Sequence, residues 1–235
     1  MADLLELRHI AHHFGSHQVL KDINLSVTAG EFVTLLGPSG SGKTTLFNII
    51  GGLMTPAGGD VLLGGQAITG HTGHVSYMPQ TPSLMPWRTV LENVELGQEI
   101  RGTADRARTL QLIERCGFTA IKDAMPSTLS GGMRQRVSFI RALNSPGSLL
   151  LLDEPFSALD EVTRIDMQQW LKEILAMEQR TVLMITHSIE EAVKLSDKVA
   201  VLEGKPAVIQ QVHDTSRLSA EDTQVLRHEL LDLLR

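Results

Sequence analysis

The chain is poor in the residues that would tie it together covalently or hold it in a membrane. Its one cysteine, Cys116, excludes an internal disulfide and fits a reducing compartment, where buried filler is its expected role. A membrane span needs an apolar run of ~18–20 residues. The longest runs here, such as Leu149 to Leu152, fall far short of that. The start, Met1-Ala2-Asp3-Leu4-Leu5-Glu6, is acidic and lacks the basic opening of a secretion signal. Positive charge is in short supply too. A formal net charge of −6 argues against nucleic acid as the main partner, because phosphate backbones call for a basic face. Nine histidines raise the question of a metal, above all at His12-His13 and His71-Thr72-Gly73-His74. No acidic or cysteine partner lies at ligand spacing beside them, so surface and turn positions are the expected account.

What is present reads as globular. With 42% apolar and 20% charged residues, a chain of 235 residues can bury a core as one large domain or two small ones. Its most informative segment is Gly37-Pro38-Ser39-Gly40-Ser41-Gly42-Lys43-Thr44, which fits G-x-x-x-x-G-K-[ST]. An apolar strand-like run, Phe32 to Leu36, precedes it, and the helix-like Thr45-Leu46-Phe47-Asn48-Ile49-Ile50 follows. Glycines let the backbone turn its N–H groups toward a polyphosphate, and the helix start presents positive charge to the same anion. Lys43 would reach the β/γ-phosphates and the Thr44 hydroxyl would ligate Mg²⁺. The expected ligand is a nucleoside triphosphate.

Alternating apolar residues from 3 to 35, with turn material at Gly15-Ser16-His17 and Ala29-Gly30, predict an antiparallel hairpin leading into the P-loop strand. Further strands are predicted at Asp60 to Leu63 and Val75 to Met78. From about 81 to 146 the pattern turns helical, with Leu110, Leu112 and Ile113 in one stretch and Val137, Phe139 and Ile140 in another. Strand-like runs at 149–152, 181–185 and 198–202 then alternate with helix-like 161–177 and 189–195, which implies a parallel sheet covered on both faces. A last amphipathic helix, about 220–234, starts at Ser219 and is expected to bury Val225, Leu226, Leu230 and Leu233.

Two more patterns narrow the chemistry. The four leucines 149–152 read as a strand buried on both faces, with Asp153 and Glu154 emerging at its end beside the P-loop. Asp153 would hold Mg²⁺ through water, and Glu154 would polarise the water that attacks the γ-phosphate. Leu129-Ser130-Gly131-Gly132-Met133 precedes a basic helix, with Ser130 placed to cap it and two glycines leaving backbone N–H groups bare. This is a second anion-binding helix start. One triphosphate cannot readily occupy both, whereas a head-to-tail pair of chains lets each nest close on the partner's γ-phosphate.

At this point the chain resembles the nucleotide-binding subunit of ATP-binding cassette (ABC) transporters, from about residue 4 to 212. Leu129-Ser130-Gly131-Gly132 matches the family signature, with Met133 where glutamine is most familiar. Ser157-Ala158-Leu159-Asp160 looks like the D-loop used across the dimer interface, through Ser157 and Asp160. His187 matches the switch histidine that contacts the γ-phosphate, and Gln80 the glutamine that touches Mg²⁺ and the attacking water. Phe14 stands where the family stacks an aromatic, usually tyrosine, on adenine; a phenylalanine keeps the stacking face and drops the hydroxyl.

The resemblance implies an α/β fold: a P-loop NTPase core with a mainly parallel sheet, an N-terminal antiparallel β subdomain and an inserted α-helical signature subdomain. It implies one cassette domain over 1–235, with the helical subdomain at about 81–146. ATP-binding residues would be Phe14, Gly37, Pro38, Ser39, Gly40, Ser41, Gly42, Lys43, Thr44, Thr45 and Gln80. Glu154, His187 and Lys43 would be catalytic, with Thr44, Gln80 and Asp153 on the metal. Stretches around Trp87, Met133 and Phe156 look like the nitrate/sulfonate/taurine importer branch. Cassettes of thiamine-precursor pyrimidine and riboflavin importers are similar, an exporter would show the same motifs, and a soluble non-transport ATPase is a further reading. The implied partners are a second cassette, transmembrane permease subunits and an extracytoplasmic solute-binding protein, at the cytoplasmic face of the membrane. Trp87 reads either as an exposed anchor for the permease or as a core plug.

Overall fold

A computed structural model describes residues 3–234; Met1, Ala2 and Arg235, and with them the first two residues of the acidic start, lie outside the described residues. In chain order the elements are β1 (Asp3–Phe14), β2 (His17–Thr28), β3 (Phe32–Leu36), α1 (Lys43–Ile50), β4 (Gly58–Leu63), β5 (Gln66–Ala67), β6 (Ser76–Met78), α2 (Val90–Arg101), α3 (Arg106–Arg115), α4 (Gly131–Asn144), β7 (Leu149–Asp153), α5 (Glu161–Glu178), β8 (Thr181–Thr186), α6 (Ile189–Leu195), β9 (Lys198–Gly204), β10 (Ala207–Asp214) and α7 (Ala220–Leu233). The ten strands of the described residues join one sheet in the order β5-β4-β1-β2-β10-β9-β3-β8-β7-β6. The hairpin half is antiparallel, and the half from β9 to β6 is parallel. β10 joins the halves, antiparallel to β9 and touching β2 at Ala207 opposite Leu20.

The hairpin's apolar spacing slips from Leu7 to Ile10, and the ladder shows why. A register shift lies between those residues, where His9 and, across the strand, Asp22 adopt left-handed φ of 51° each. The bulge turns Ile10 back onto the buried face opposite Ile23.

Strand β7 explains how the site is held. Leu149 and Leu151 face a core shared with α1 and the hairpin, whereas Leu150 and Leu152 face a core built by α2, α4 and α5. Alternate side chains point to opposite faces, so a strand covered on both sides must be apolar throughout. Each fully buried leucine is worth about 2 kcal/mol by area removed from water. The helical region is tied internally by buried Gln98, Thr109 and Asn144, with Gln98 Nε2 donating to Asn144 Oδ1 and Asn144 Nδ2 to Thr109 Oγ1, both at 3.0 Å. Cys116 is buried as expected, and burial pushes its thiol up to about 12.

Several expectations need correction. Helix α7 starts at a Ser219–Asp222 capping box and buries Leu226 and Leu230 against β9 and α6, but Val225 is exposed because it falls off that stripe. Leu110 is exposed while Leu112 and Ile113 are buried. Residues 81–89 form no helix; α2 begins only at Val90, behind a Thr89–Glu92 capping box. Strand β10 had no sequence expectation, since its outer face is polar and a strand at the seam needs little apolar patterning. Trp87 is 71% exposed, which removes the core-plug reading. Among the described residues no helix is long and apolar enough to cross a membrane.

Candidate functional site

Four adjacent parallel strands, β3, β8, β7 and β6, end on the same side of the sheet. Their C-terminal ends deliver the P-loop, His187, the Asp153–Glu154 pair and Gln80. Open α/β sheets bind ligands beyond these carboxyl ends, and here neighbouring strands converge residues that are far apart in sequence.

The P-loop runs from Gly37 to Gly42, and α1 starts at Lys43 with Gly42 as its cap at φ 89°. A Cβ on Gly37 would lie 2.4 Å from the Leu202 carbonyl oxygen, and one on Gly42 would lie 2.9 Å from Leu20 Cδ2. Glycine is therefore required at both, and the loop rests directly on β9 and the hairpin. Lys43 Nζ donates to the Gly37 and Pro38 carbonyls at 2.8 Å each. Burial lowers the Lys43 ammonium from its ordinary value, opposed by the charges of Glu154 and Asp153. Among the described residues the buried Ser41 hydroxyl has no partner. An orphaned hydroxyl, bare helix-start N–H groups and a buried cation in one loop fit a phosphate chain. Thr44 lies exposed in the first turn of α1 and Thr45 half-buried beside it, with Pro38, Ser39 and Gly40 exposed along the loop.

Asp153 is buried, and desolvation raises its carboxyl, countered first by a hydrogen bond from Tyr77 Oη at 3.0 Å. Burial and the Asp153 charge raise the Tyr77 phenol, so it stays a donor. Glu154 follows with φ 43°, its N–H bonded to the Ile185 carbonyl at 3.1 Å, which turns its side chain out of the strand. Gln80 Nε2 donates to Glu154 Oε2 and to Ser157 Oγ, at 3.2 Å each. His187 Nδ1 lies 3.4 Å from the same Glu154 oxygen. The structure thus gathers Gln80, Glu154, Ser157 and His187 into one cluster next to Asp153, and Glu154, Ser157 and His187 line a recess of about 70 Å³. The oxygens of Gln80, Asp153 and Thr44 are hard donors of the kind that suit Mg²⁺.

Two groups stand apart from that cluster. The signature opens α4, where Ser130 Oγ accepts from Met133 N at 3.2 Å and Gly131 and Gly132 leave the helix start open. A Cβ on Gly132 would meet Thr163 Cγ2 at 2.8 Å, so the nest abuts α5 just past Asp160, which caps that helix through Thr163 N. Phe14 lies at the hairpin tip, half exposed, with His12 edge-on at 4.8 Å. A concavity of about 1030 Å³ lies at the opposite, N-terminal ends of β3 and β8 among Phe32, Lys172, Arg180 and Asp197, and none of these groups lines it. Among the described residues no cluster of metal-binding side chains forms around the histidines.

The ABC transporter family model matches residues 20–157, more than half of the chain. The chain belongs to the ABC transporter family. As an ABC cassette it is 47% identical over 198 residues to the aliphatic sulfonates import ATP-binding protein SsuB 1 of Rhodococcus jostii, covering 84% of this chain and 78% of that protein. The SsuB of Pseudomonas fluorescens is 39% identical over 234 residues, covering 96% and 86%. A putative ATP-binding protein of Brucella abortus is 38% identical over 216 residues, covering 90% and 83%. Among solved structures, a dimeric ATP-binding cassette in a post-hydrolysis state with ADP and Pi superposes with a TM-score of 0.76 at 29% identity, over 92% of this chain and all of that one.

Sequence reasoning about this cassette missed Tyr77. The residue lay in a recognised strand, but nothing local revealed that β6 pairs with β7 and carries the phenol to Asp153.

Proposed function

We propose that the chain is the ATP-binding and hydrolysing subunit of a membrane importer for a small sulfonate or related anion. It works as one cassette domain, with its helical subdomain at about 81–146 and the C-terminal helix packed on α6. The observation that carries the reading is the convergence of P-loop, His187, Asp153–Glu154 and Gln80 at four neighbouring strand ends, with a separate anion nest on α4. Two copies would hold ATP between the P-loop of one and Ser130 to Met133 of the other, with Ser157 and Asp160 at the contact. Phe14 would stack on the base. The residues from Gly37 to Thr45 would hold the phosphates, and Thr44, Asp153 and Gln80 the metal. Bound Mg²⁺ would neutralise phosphate charge. Glu154 takes up the proton of the attacking water, and His187 orients Glu154 while donating toward the γ-phosphate. The chain would sit at the cytoplasmic face of the membrane on its permease subunits, with an extracytoplasmic binding protein completing the complex on the other side. The sulfonate assignment comes from the SsuB relatives, since a cassette itself does not touch the cargo.

The test is to purify tagged chain from solubilised native membranes and identify what comes with it. A multi-span permease with equal copies of this chain, and a binding protein that captures alkanesulfonates, is the expected result. Stoichiometric recovery with a ribosome or a DNA-repair protein overturns the importer reading, and a binding protein selective for a pyrimidine or flavin overturns the sulfonate.

A further inference from the structure

The signature helix α4 is bonded to both catalytic loops of its own chain. Gln135, 2% exposed, donates its Nε2 to the Pro155 carbonyl at 2.8 Å, and Pro155 directly follows Glu154. Six residues further on, about 1.7 helical turns, Arg141 spreads its guanidinium over the segment after Gln80, with Nη2 donating to the Pro82 carbonyl at 2.8 Å and Nη1 to the Ser83 carbonyl at 2.9 Å. Ser83 sits at φ 44°, so the chain is turned toward the arginine at that point. The two loops are in turn joined to each other by the Gln80–Glu154 and Gln80–Ser157 hydrogen bonds. At its N-terminus α4 touches Thr163 through Gly132.

These contacts share a physical character. The acceptors are main-chain carbonyls, so the side chains of α4 fix loop position rather than loop chemistry. The buried Gln135 amide would be left unsatisfied without its acceptor, and the half-buried Arg141 guanidinium holds two carbonyls at once, so the loops follow the helix rather than letting go. A helix is stiff along its length, and the nest at its start and the two donors therefore move together.

We infer that Gln135 and Arg141 are positioning residues that couple the anion nest of α4 to the Glu154–Gln80 pair of the same chain. This rests on the proposed pairing of each nest with a partner's nucleotide. On that arrangement, ATP held by one P-loop sets the hydrolytic geometry beside the other, and the two sites of a dimer report to each other through α4. Both act through main-chain carbonyls of the loops.

The test uses the full chain with its permease. Gln135→Leu keeps the volume and deletes the donor, and Arg141→Lys keeps the charge and deletes the fork. Each is expected to lower kcat for ATP about tenfold, with the affinity for ATP, measured by equilibrium binding, held within about twofold. Ser130→Ala is then combined with each. Parts of one relay give losses that do not multiply, so the double variants should fall little below the worse single one. Unchanged kcat in both single variants, or losses that multiply fully with Ser130→Ala, overturns the inference. A parallel loss of ATP affinity and melting temperature in both variants also overturns it, as plain structural damage. If Ser130→Ala alone leaves kcat intact, the nest reading itself fails, and that failure is seen independently of the Gln135 and Arg141 variants.

Discussion

The Tyr77 hydroxyl donates to Asp153 Oδ2 at 3.0 Å across the β6–β7 ladder, where Tyr77 is in register with Leu151. One carboxylate oxygen is thereby occupied, which fixes how the other faces the P-loop. Partners behind a metal-binding carboxylate commonly change metal affinity by an order of magnitude. Tyr77→Phe is expected to raise the Mg²⁺ concentration for half-maximal ATP hydrolysis about tenfold with little change in ATP affinity. A titration of activity against Mg²⁺ decides this; an unchanged midpoint assigns Tyr77 to packing alone.

Glu154, the proposed base, is met by Gln80 and His187. Glu154→Gln should lower kcat about a thousandfold while ATP still binds and drives two copies together. Turnover assays and size-exclusion chromatography with ATP measure the two halves, and normal turnover removes Glu154 from the chemistry. Lys43→Ala should abolish hydrolysis by removing the buried cation from the loop.

Gly132 is a steric requirement as well as a donor. A methyl group there would meet Thr163 Cγ2 at 2.8 Å, pushing the nest away from α5. Gly132→Ala is expected to cut ATPase activity about tenfold, on the scale of 1–2 kcal/mol for overpacking. Adding Thr163→Ser removes the offending methyl and should restore most of the activity. Absence of rescue would mean the bare backbone, not the clearance, is what matters.

Glu191 offers a pH test. Burial raises its carboxyl above the ordinary value, opposed by the hydrogen bond from Thr186 and by Arg164. A carboxyl with a higher pKa in the fold than in the unfolded chain favours folding while protonated, and that contribution is lost as pH rises through the folded value. Glu191→Gln keeps an acceptor for Thr186 and removes the buried charge. Its melting temperature should exceed the parent's at about pH 8 and converge with it toward about pH 4. A constant difference across that range would show that charge burial is not the cause.

How much of this was legible in the sequence depends on distance along the chain. The P-loop, the leucine run before Asp153 and Glu154, and the capped Ser130 nest are local patterns whose physics is complete within a few residues. Strand and helix order followed from them, as did the hairpin, although its bulge at His9 and Asp22 shows in the sequence only as a slip in spacing. Three features were not legible: Tyr77 on Asp153, Gln135 on Pro155 and Arg141 on Pro82 and Ser83. Each joins residues remote in sequence, and two of the three end on main-chain carbonyls that carry no side-chain identity. Val225 shows the opposite error, an apolar residue assigned to a stripe that the helix rotates to solvent.

The hairpin that carries Phe14 meets the P-loop at Val19 and Leu20, whose methyl groups lie against Gly42. The part of the site that would grip a base and the part that would grip phosphates are thus separate pieces of masonry with a greasy joint between them. Slippage at that joint loosens the hold on the base without opening the phosphate cradle. Discrimination among nucleobases and strength of phosphate capture can therefore drift apart by substitutions at the joint, each tuned without the other.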